Sequence, residues 1–271
     1  MRLLTKLLCC LHFCAVIYSQ GQSKTTVITN IAPAPSARFP ASWYPPDSDV
    51  TYTTAAQTNA PYTATFVTTV HTAISGQIKT FSTSTFQARD SSGRKRDETE
   101  MPRPDGHGGT VMAHEVTVSD PVSHCGFRWM EPWVAPGKPV AIVTCMPRTL
   151  HYNSQNIWAD AIVDKPTETR FLDTVYLSEP LGKRMFADLE AVGIQKTVTR
   201  TDAQTGKVQK LVAQIWYSPD LKELIQMKQI TDPNDVQPSA IPDYTLTNIH
   251  RVEPDPALFY PPASYTIQPG H

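Results

Sequence analysis

Cys125-Gly126-Phe127-Arg128-Trp129 and Ala141-Ile142-Val143-Thr144-Cys145 read as the two strands of one hairpin, joined by Pro132-Trp133-Val134-Ala135-Pro136-Gly137-Lys138-Pro139. On each strand the apolar residues and the cysteine fall on alternate positions, the period of a half-buried strand. With the turn centred on Ala135, cross-strand partners have numbers that add to 270. Trp129 then faces Ala141, Phe127 faces Val143 and Cys125 faces Cys145. A single register therefore supplies both a coherent apolar face and two facing cysteines. A disulfide is the first reading of such a pair in an oxidising compartment, and two buried thiols are the alternative.

Working outward from this hairpin, the same pattern continues on both sides. Upstream, Tyr62 to Thr72 is β-branched and aromatic, with Ala64, Phe66 and Val70 on one alternation face. Ile78 to Ala88 is a second such run, and Asp90-Ser91-Ser92-Gly93 is a hairpin turn in which glycine accepts the positive φ. Arg94 to Glu100 is highly charged, which suits a solvated face or a sheet edge. Met101 to Thr110 reads as a loop and His114 to Ser119 as a short strand. Downstream, Ser154 to Val163 reads either as a short helix or as a long crossing loop. Strands are expected at Arg170 to Ser178, Lys183 to Ala187, Ala191 to Thr201, Val208 to Tyr217, Leu224 to Ile230 and Tyr244 to Arg251. Consecutive strands with short turns give an all-β, mostly antiparallel meander with at most minor α content.

The N-terminal 60 residues read differently. Arg2 and Lys6 precede an apolar run from Leu7 to Ile17, and small residues follow at Ser19 and Gly21. That run is too short to span a bilayer as a helix, so residues 1–19 read as a removable signal peptide, with an N-terminal anchor as the alternative. Export to a periplasmic or extracellular location is the expectation. It leaves Cys125 and Cys145 as the mature cysteines and a net charge of −3, from 22 basic and 25 acidic residues. Residues 20–60 form a Pro/Thr/Ala-rich arm with five prolines from Pro33 to Pro46, which cannot continue a helix or a central strand. Residues 61–271 make the β domain. No later stretch approaches the 18 apolar residues of a membrane span, and the absence of a basic excess argues against nucleic acid.

Catalytic and metal signatures are largely missing. His114-Glu115 begins a zinc-protease motif, but Val118 stands where the second histidine belongs. Gly137-Lys138, Gly182-Lys183 and Gly206-Lys207 lack the upstream glycine of a phosphate loop, and no Gly-x-Ser-x-Gly elbow occurs. His107, His114, His124 and Cys125 match no standard metal spacing. Asp90, Asp97, Glu98 and Glu100 could supply an acid/base pair, but a solvated charged hairpin explains them more simply. No catalytic residue, metal or cofactor is assigned.

The C-terminal third carries a resemblance. Trp216-Tyr217-Ser218-Pro219-Asp220-Leu221, Leu246-Thr247-Asn248-Ile249, Glu253-Pro254-Asp255-Pro256-Ala257-Leu258-Phe259 and Pro261-Pro262-Ala263-Ser264-Tyr265-Thr266-Ile267 resemble a family of uncharacterised secreted bacterial proteins. Arg89-Asp90-Ser91-Ser92-Gly93-Arg94, Asp120-Pro121-Val122 and Leu181-Gly182 fit the same family in the same order; the Trp133 loop and the paired cysteines depart from it. More distantly, the chain is similar to the periplasmic lipoprotein-carrier superfamily, which includes the sigma-factor-regulatory sensors. That resemblance implies a strongly curved antiparallel half-barrel around an apolar cavity, and a ligand-binding rather than catalytic role. The expected occupant is an apolar small molecule or a lipidated or envelope partner. Phe127 and Trp129 on one strand, and Val212 and Trp216 on a later one, are the candidate ligand residues. The plainer reading is that these aromatics fill a closed core. A hydrolase with an unrecognised site and a structural envelope module are the alternative functions.

Overall fold

β-branched and aromatic side chains at alternate positions favour a pleated surface with one face buried, and strands of this kind make up nearly all of the regular structure. The computed structural model describes residues 57–75, 77–146, 162–201, 204–230 and 241–270. Two antiparallel meanders share one thirteen-stranded sheet. The first runs through β1 (Tyr62–Ile74), β2 (Gln77–Arg89), β3 (Lys95–Pro104), β4 (Thr110–Asp120), β5 (Cys125–Glu131) and β6 (Val140–Cys145). The second runs through β7 (Thr167–Phe171), β8 (Thr174–Phe186), β9 (Leu189–Thr201), β10 (Val208–Ser218), β11 (Glu223–Ile230) and β12 (Asp243–His250). β12 pairs with β1, which joins the meanders, and β13 (Thr266–Pro269) adds parallel to β6. The sheet is open, because β13 and β7 are its two ends.

The expected all-β, curved antiparallel architecture is the one observed, and the hairpin register is the one read from the alternation. Cys125 pairs with Cys145, Phe127 with Val143 and Arg128 with Ile142. Cys125 and Cys145 form a disulfide across Cα atoms 4.0 Å apart. The Asp90–Gly93 turn forms as expected: Gly93 has φ 86°, and its N–H donates to the Asp90 carbonyl at 3.0 Å.

Three expectations are corrected. β3 lies inside the sheet between β2 and β4, and Asp90, Arg94 and Arg96 are buried rather than solvated. Their charges are met within the hairpin, Asp90 with Arg94 and Arg96 with Glu98, while Tyr260 and the Leu258 carbonyl, from a distant segment that sequence alternation does not register, accept further guanidinium N–H groups. The Met101–Thr110 loop is mostly strand, because β3 runs on to Pro104 and β4 starts at Thr110. Arg170 to Ser178 is a hairpin rather than one strand, turning at Leu172, whose φ is 52°. Beyond the last strand expected from the sequence, Thr266–Pro269 adds the short β13. Most of the Ser154–Val163 segment lies outside the described residues, and Ile162 and Val163 have no regular structure.

Burial divides into three apolar clusters. The first holds Val116, Val118, Phe127, Trp129 and Val143 with the disulfide, roofed by Phe259, Tyr265 and Ile267. The roof begins as a single 3-10 turn, Pro256–Phe259, capped by Asp255 through the Ala257 N–H at 2.9 Å. The second gathers Tyr62, Ala64, Trp216, Leu221, Ile225 and Leu246. The third holds Ile194, Ile215, Leu224 and Met227, with Tyr244 packed against it.

Curvature can be gauged from one ion pair. β3 and β11 are four strands apart in the sheet order. A flat sheet would separate them by about 19 Å, beyond the joint reach of a lysine and a glutamate. Lys95 Nζ on β3 nevertheless lies 3.6 Å from Glu223 Oε2 on β11. The sheet therefore curls toward the face that carries Lys95 and its register partners, Arg89 and Tyr62.

Candidate functional site

Two arrangements on the concave face bear on function, a polar clamp at one end of the strands and an apolar strip that leads away from it. The clamp centres on Glu223, the first residue of β11. Its Oε2 accepts from Arg89 Nη1 at 3.3 Å and from the Tyr62 hydroxyl at 3.2 Å. Arg89 is only 2% exposed. Its Nε donates to the Ala60 carbonyl at 3.0 Å, its Nη2 donates to the Leu221 carbonyl, and its guanidinium lies 4.7 Å from the centre of the Tyr62 ring. Gln87 bridges the cluster to Asp97 at 2.7 Å. The ladder between β11 and β12 has two registered pairs, Gln226 with Thr245 and Met227 with Tyr244. Past them the Ser218–Glu223 corner lies against Tyr62 and Arg89 instead.

The charge states of the clamp follow from this packing. Burial would raise the Glu223 carboxyl, but Lys95 and then Arg89 overcome it and hold the group below the usual carboxylate range. Burial would lower Lys95, and Glu223 foremost drives it above the ordinary lysine value. Tyr62 is pushed up by burial and then by Glu223. A general acid or base needs a pKa near the working pH. All three groups move away from neutrality, so the cluster is suited to a fixed clamp rather than to proton transfer.

A second set of charges sits on the other side of β2 and β3. Asp90 accepts from the Arg94 backbone N–H at 2.9 Å and from its Nε at 2.5 Å. Arg94 Nη1 donates to the Tyr260 hydroxyl at 2.6 Å, and Arg96 Nη1 donates to the Leu258 carbonyl at 2.9 Å. These bonds fasten the C-terminal segment over the first apolar cluster. Among the described residues, no group of three or more His, Cys, Asp or Glu side chains is placed to hold a metal. His114 Nδ1 lies 3.0 Å from Glu98 Oε1, and Cys125 is committed to its disulfide.

The four candidate ligand residues do not form one surface. Phe127 and Trp129 are buried in the first cluster, where Phe127 meets Tyr260 edge-on at 5.9 Å and the Arg96 guanidinium lies 5.3 Å from the Trp129 ring. Trp216 is buried in the second cluster, edge-on to Phe186 at 5.8 Å. Its six-membered ring lies so close over Gly193 that a Cβ there would come within 2.6 Å of it. Val212 pairs with Thr197 and Ile230 and is half-buried, in none of the three clusters.

The partly open apolar side chains on the concave face are others. Register pairing sets the buried Ile194, Ile215 and Met227 in one row across β9 to β12 with the half-buried Tyr244, where the open side chains begin. Tyr244 stacks on Phe66 of β1 with ring centres 5.3 Å apart, and burial raises its hydroxyl above the ordinary tyrosine value. Beyond Phe66 on the same face of β1 comes Val70, paired directly with Phe81 of β2; these two are 37% and 52% exposed. The shared face of Phe66 and Val70 was visible as alternation. Tyr244 was not, because β1 and β12 pair across almost the whole chain. Among the described residues, no helix is long and apolar enough to cross a membrane. No family model matches this chain, and no curated protein matches it.

Proposed function

We propose that the protein is an exported, periplasmic or extracellular, non-catalytic binding protein that holds an apolar ligand or a lipidated partner against its concave face. It would belong with the secreted family that its C-terminal third resembles. The observation that carries this reading is the strip Tyr244–Phe66–Val70–Phe81, which passes from half-buried to exposed along one concave face. Adjoining exposed apolar side chains of this kind mark interaction sites more often than isolated ones do. The Cys125–Cys145 disulfide supports an oxidising compartment. The displaced pKa values of the clamp argue against hydrolysis there.

The test is saturable binding of an apolar fluorescent probe, anilinonaphthalene sulfonate, to the natively folded, delipidated protein. Tyr244→Ala is expected to weaken binding at least tenfold while the melting transition stays cooperative. Mass spectrometry of organic extracts of the natively purified protein should show a retained apolar molecule. Failure to bind the probe, or binding untouched by Tyr244→Ala, would overturn the reading.

A further inference from the structure

The β1–β2 hairpin outruns its neighbours. β2 pairs with β1 along its entire length, from Gln77 to Arg89, without a register shift. Its pairing with β3 covers only Thr85 to Arg89. Among the described residues, no strand pairs with Gln77–Ser84 on its outer side. A row of unpaired N–H and C=O groups is a template for another strand, and proteins normally blunt such edges with proline, charge or bulges. Most other free edges of this sheet carry those devices, the short outer edge of β1 from Val70 to Ile74 being an exception. β7 bears Glu168 and Arg170, and outer β8 has Pro180 at a register shift followed by Lys183 and Arg184. Outer β3 has Pro102, Arg103 and Pro104, and β13 ends on Pro269. Outer β2 has no proline and no shift, and its single charge is Lys79. Its apolar residues Ile78 and Phe81 are 46% and 52% exposed.

We propose that Ile78–Ser84 pairs antiparallel with the same segment of a second copy, across a two-fold axis at Phe81. The register follows from the sequence of the edge. A two-fold axis perpendicular to the sheet keeps the faces aligned, so partners must have numbers with an even sum. Centring the free edge sets Phe81 against Phe81 of the second copy, Lys79 against Thr83, Thr80 against Ser82 and Ile78 against Ser84. Moving the axis to Lys79 would oppose two like charges, which is destabilising. The Phe81 register brings the two exposed rings together with no charge repulsion. This pairing is isologous, the commonest symmetry of homo-oligomers. Seven residues of edge bury less than the roughly 1,200 Å² of a stable interface, so the dimer is concentration-dependent. It does not rest on ligand binding, although Phe81 is the exposed end of the apolar strip.

Sedimentation equilibrium of the full exported chain tests the proposal. The wild-type protein should move from a one-chain to a two-chain mass as concentration rises. Phe81→Lys and Phe81→Glu should each stay at one chain, and mixing them should restore the two-chain mass, because position 81 opposes itself. Phe81→Cys should cross-link to itself under mild oxidation, whereas Phe171→Cys, on a comparably exposed residue, should not. A wild-type chain that stays monomeric at its highest soluble concentration overturns the proposal. So does a dimer that persists in both charged variants, or a mixture of them that stays monomeric. Tyr244→Ala leaves the edge intact, so loss of probe binding with dimerisation retained would separate failure of this proposal from failure of the ligand reading.

Discussion

Glu223→Gln should be among the most damaging isosteric substitutions in this protein. Glutamine keeps the shape and an oxygen for the Leu224 N–H, which donates to Glu223 Oε1 at 3.1 Å. It removes the negative charge on which Arg89 at 3.3 Å and Lys95 at 3.6 Å converge. Removing one partner of a buried ion pair costs about 3 to 5 kcal/mol, because the other charge is left uncompensated. Arg89 keeps its two carbonyl acceptors, and the Lys95 side chain is 32% exposed and can turn toward water. These place the expected cost near the lower end, about 3 kcal/mol. With a urea slope near 2.5 kcal/mol per molar, the midpoint should fall by about 1 M. The pH dependence carries a second signature. The folded-state pKa of Glu223 is depressed, so its stabilisation is fully present above the unfolded value of about 4.3 and is lost as pH falls through the folded value. Urea unfolding followed by tryptophan fluorescence between pH 7 and pH 3 should show the variant losing less stability than the wild type across that acid window. Adding Lys95→Met should recover part of the loss at pH 7, since one uncompensated cation is then gone. A midpoint shift below about 0.3 M, or one that does not shrink on acidification, would refute the clamp as a source of stability.

Gly193→Ala should destabilise by about 1 to 3 kcal/mol despite the better strand propensity of alanine, because the new methyl would overlap the buried Trp216 ring; an unchanged urea midpoint and near-ultraviolet dichroism would refute this. Replacing Cys125 and Cys145 together by serine should cost about 3 kcal/mol on the chain-entropy account for a sequence separation of 20, less where the hairpin survives unfolding, as read from denaturation midpoints under non-reducing conditions. Tyr265→Phe should cost about 1 kcal/mol, measured by the same unfolding curve, because it deletes the hydroxyl that donates to the Met130 carbonyl at 2.6 Å and ties the C-terminal segment to β5.

Local pairing was legible in the sequence wherever turn chemistry and alternation agreed. The Cys125–Cys145 register could be written down because both strands and their turn lie within 21 consecutive residues. What could not be read is pairing at long range. β12 joins β1 across nearly the full domain, and β13 runs parallel to β6 from more than 120 residues further along the chain. The charged strand β3 was misplaced for the same reason. Arg94 and Arg96 find local ion-pair partners in Asp90 and Glu98, whereas the segment whose Tyr260 hydroxyl and Leu258 carbonyl also accept from them lies more than 160 residues away. Trp216 is a candidate ligand residue in the sequence through the distant resemblance and the alternation face it shares with Val212. Its burial over Gly193 follows from a cross-strand pair that alternation on β10 alone does not contain.

The segments that looked like separate motifs come together in space. Arg89 reaches the Leu221 carbonyl, Ser91 donates its N–H to Glu253 Oε1 at 3.1 Å, and Arg94 reaches Tyr260. The Asp90–Gly93 turn thus fastens both the β10–β11 corner and the C-terminal segment. The corner connection substitutes for hydrogen bonds that β11 and β12 do not make once their short ladder ends. The C-terminal connection seats Phe259 and Tyr260 on the face of Phe127. One end of the sheet is therefore closed by polar contacts on both of its faces, and the opposite end of β1 and β2 carries the exposed Val70 and Phe81. Stability and recognition are assigned to opposite ends of the same two strands, so the clamp variants should lower stability without altering probe binding to the molecules that remain folded.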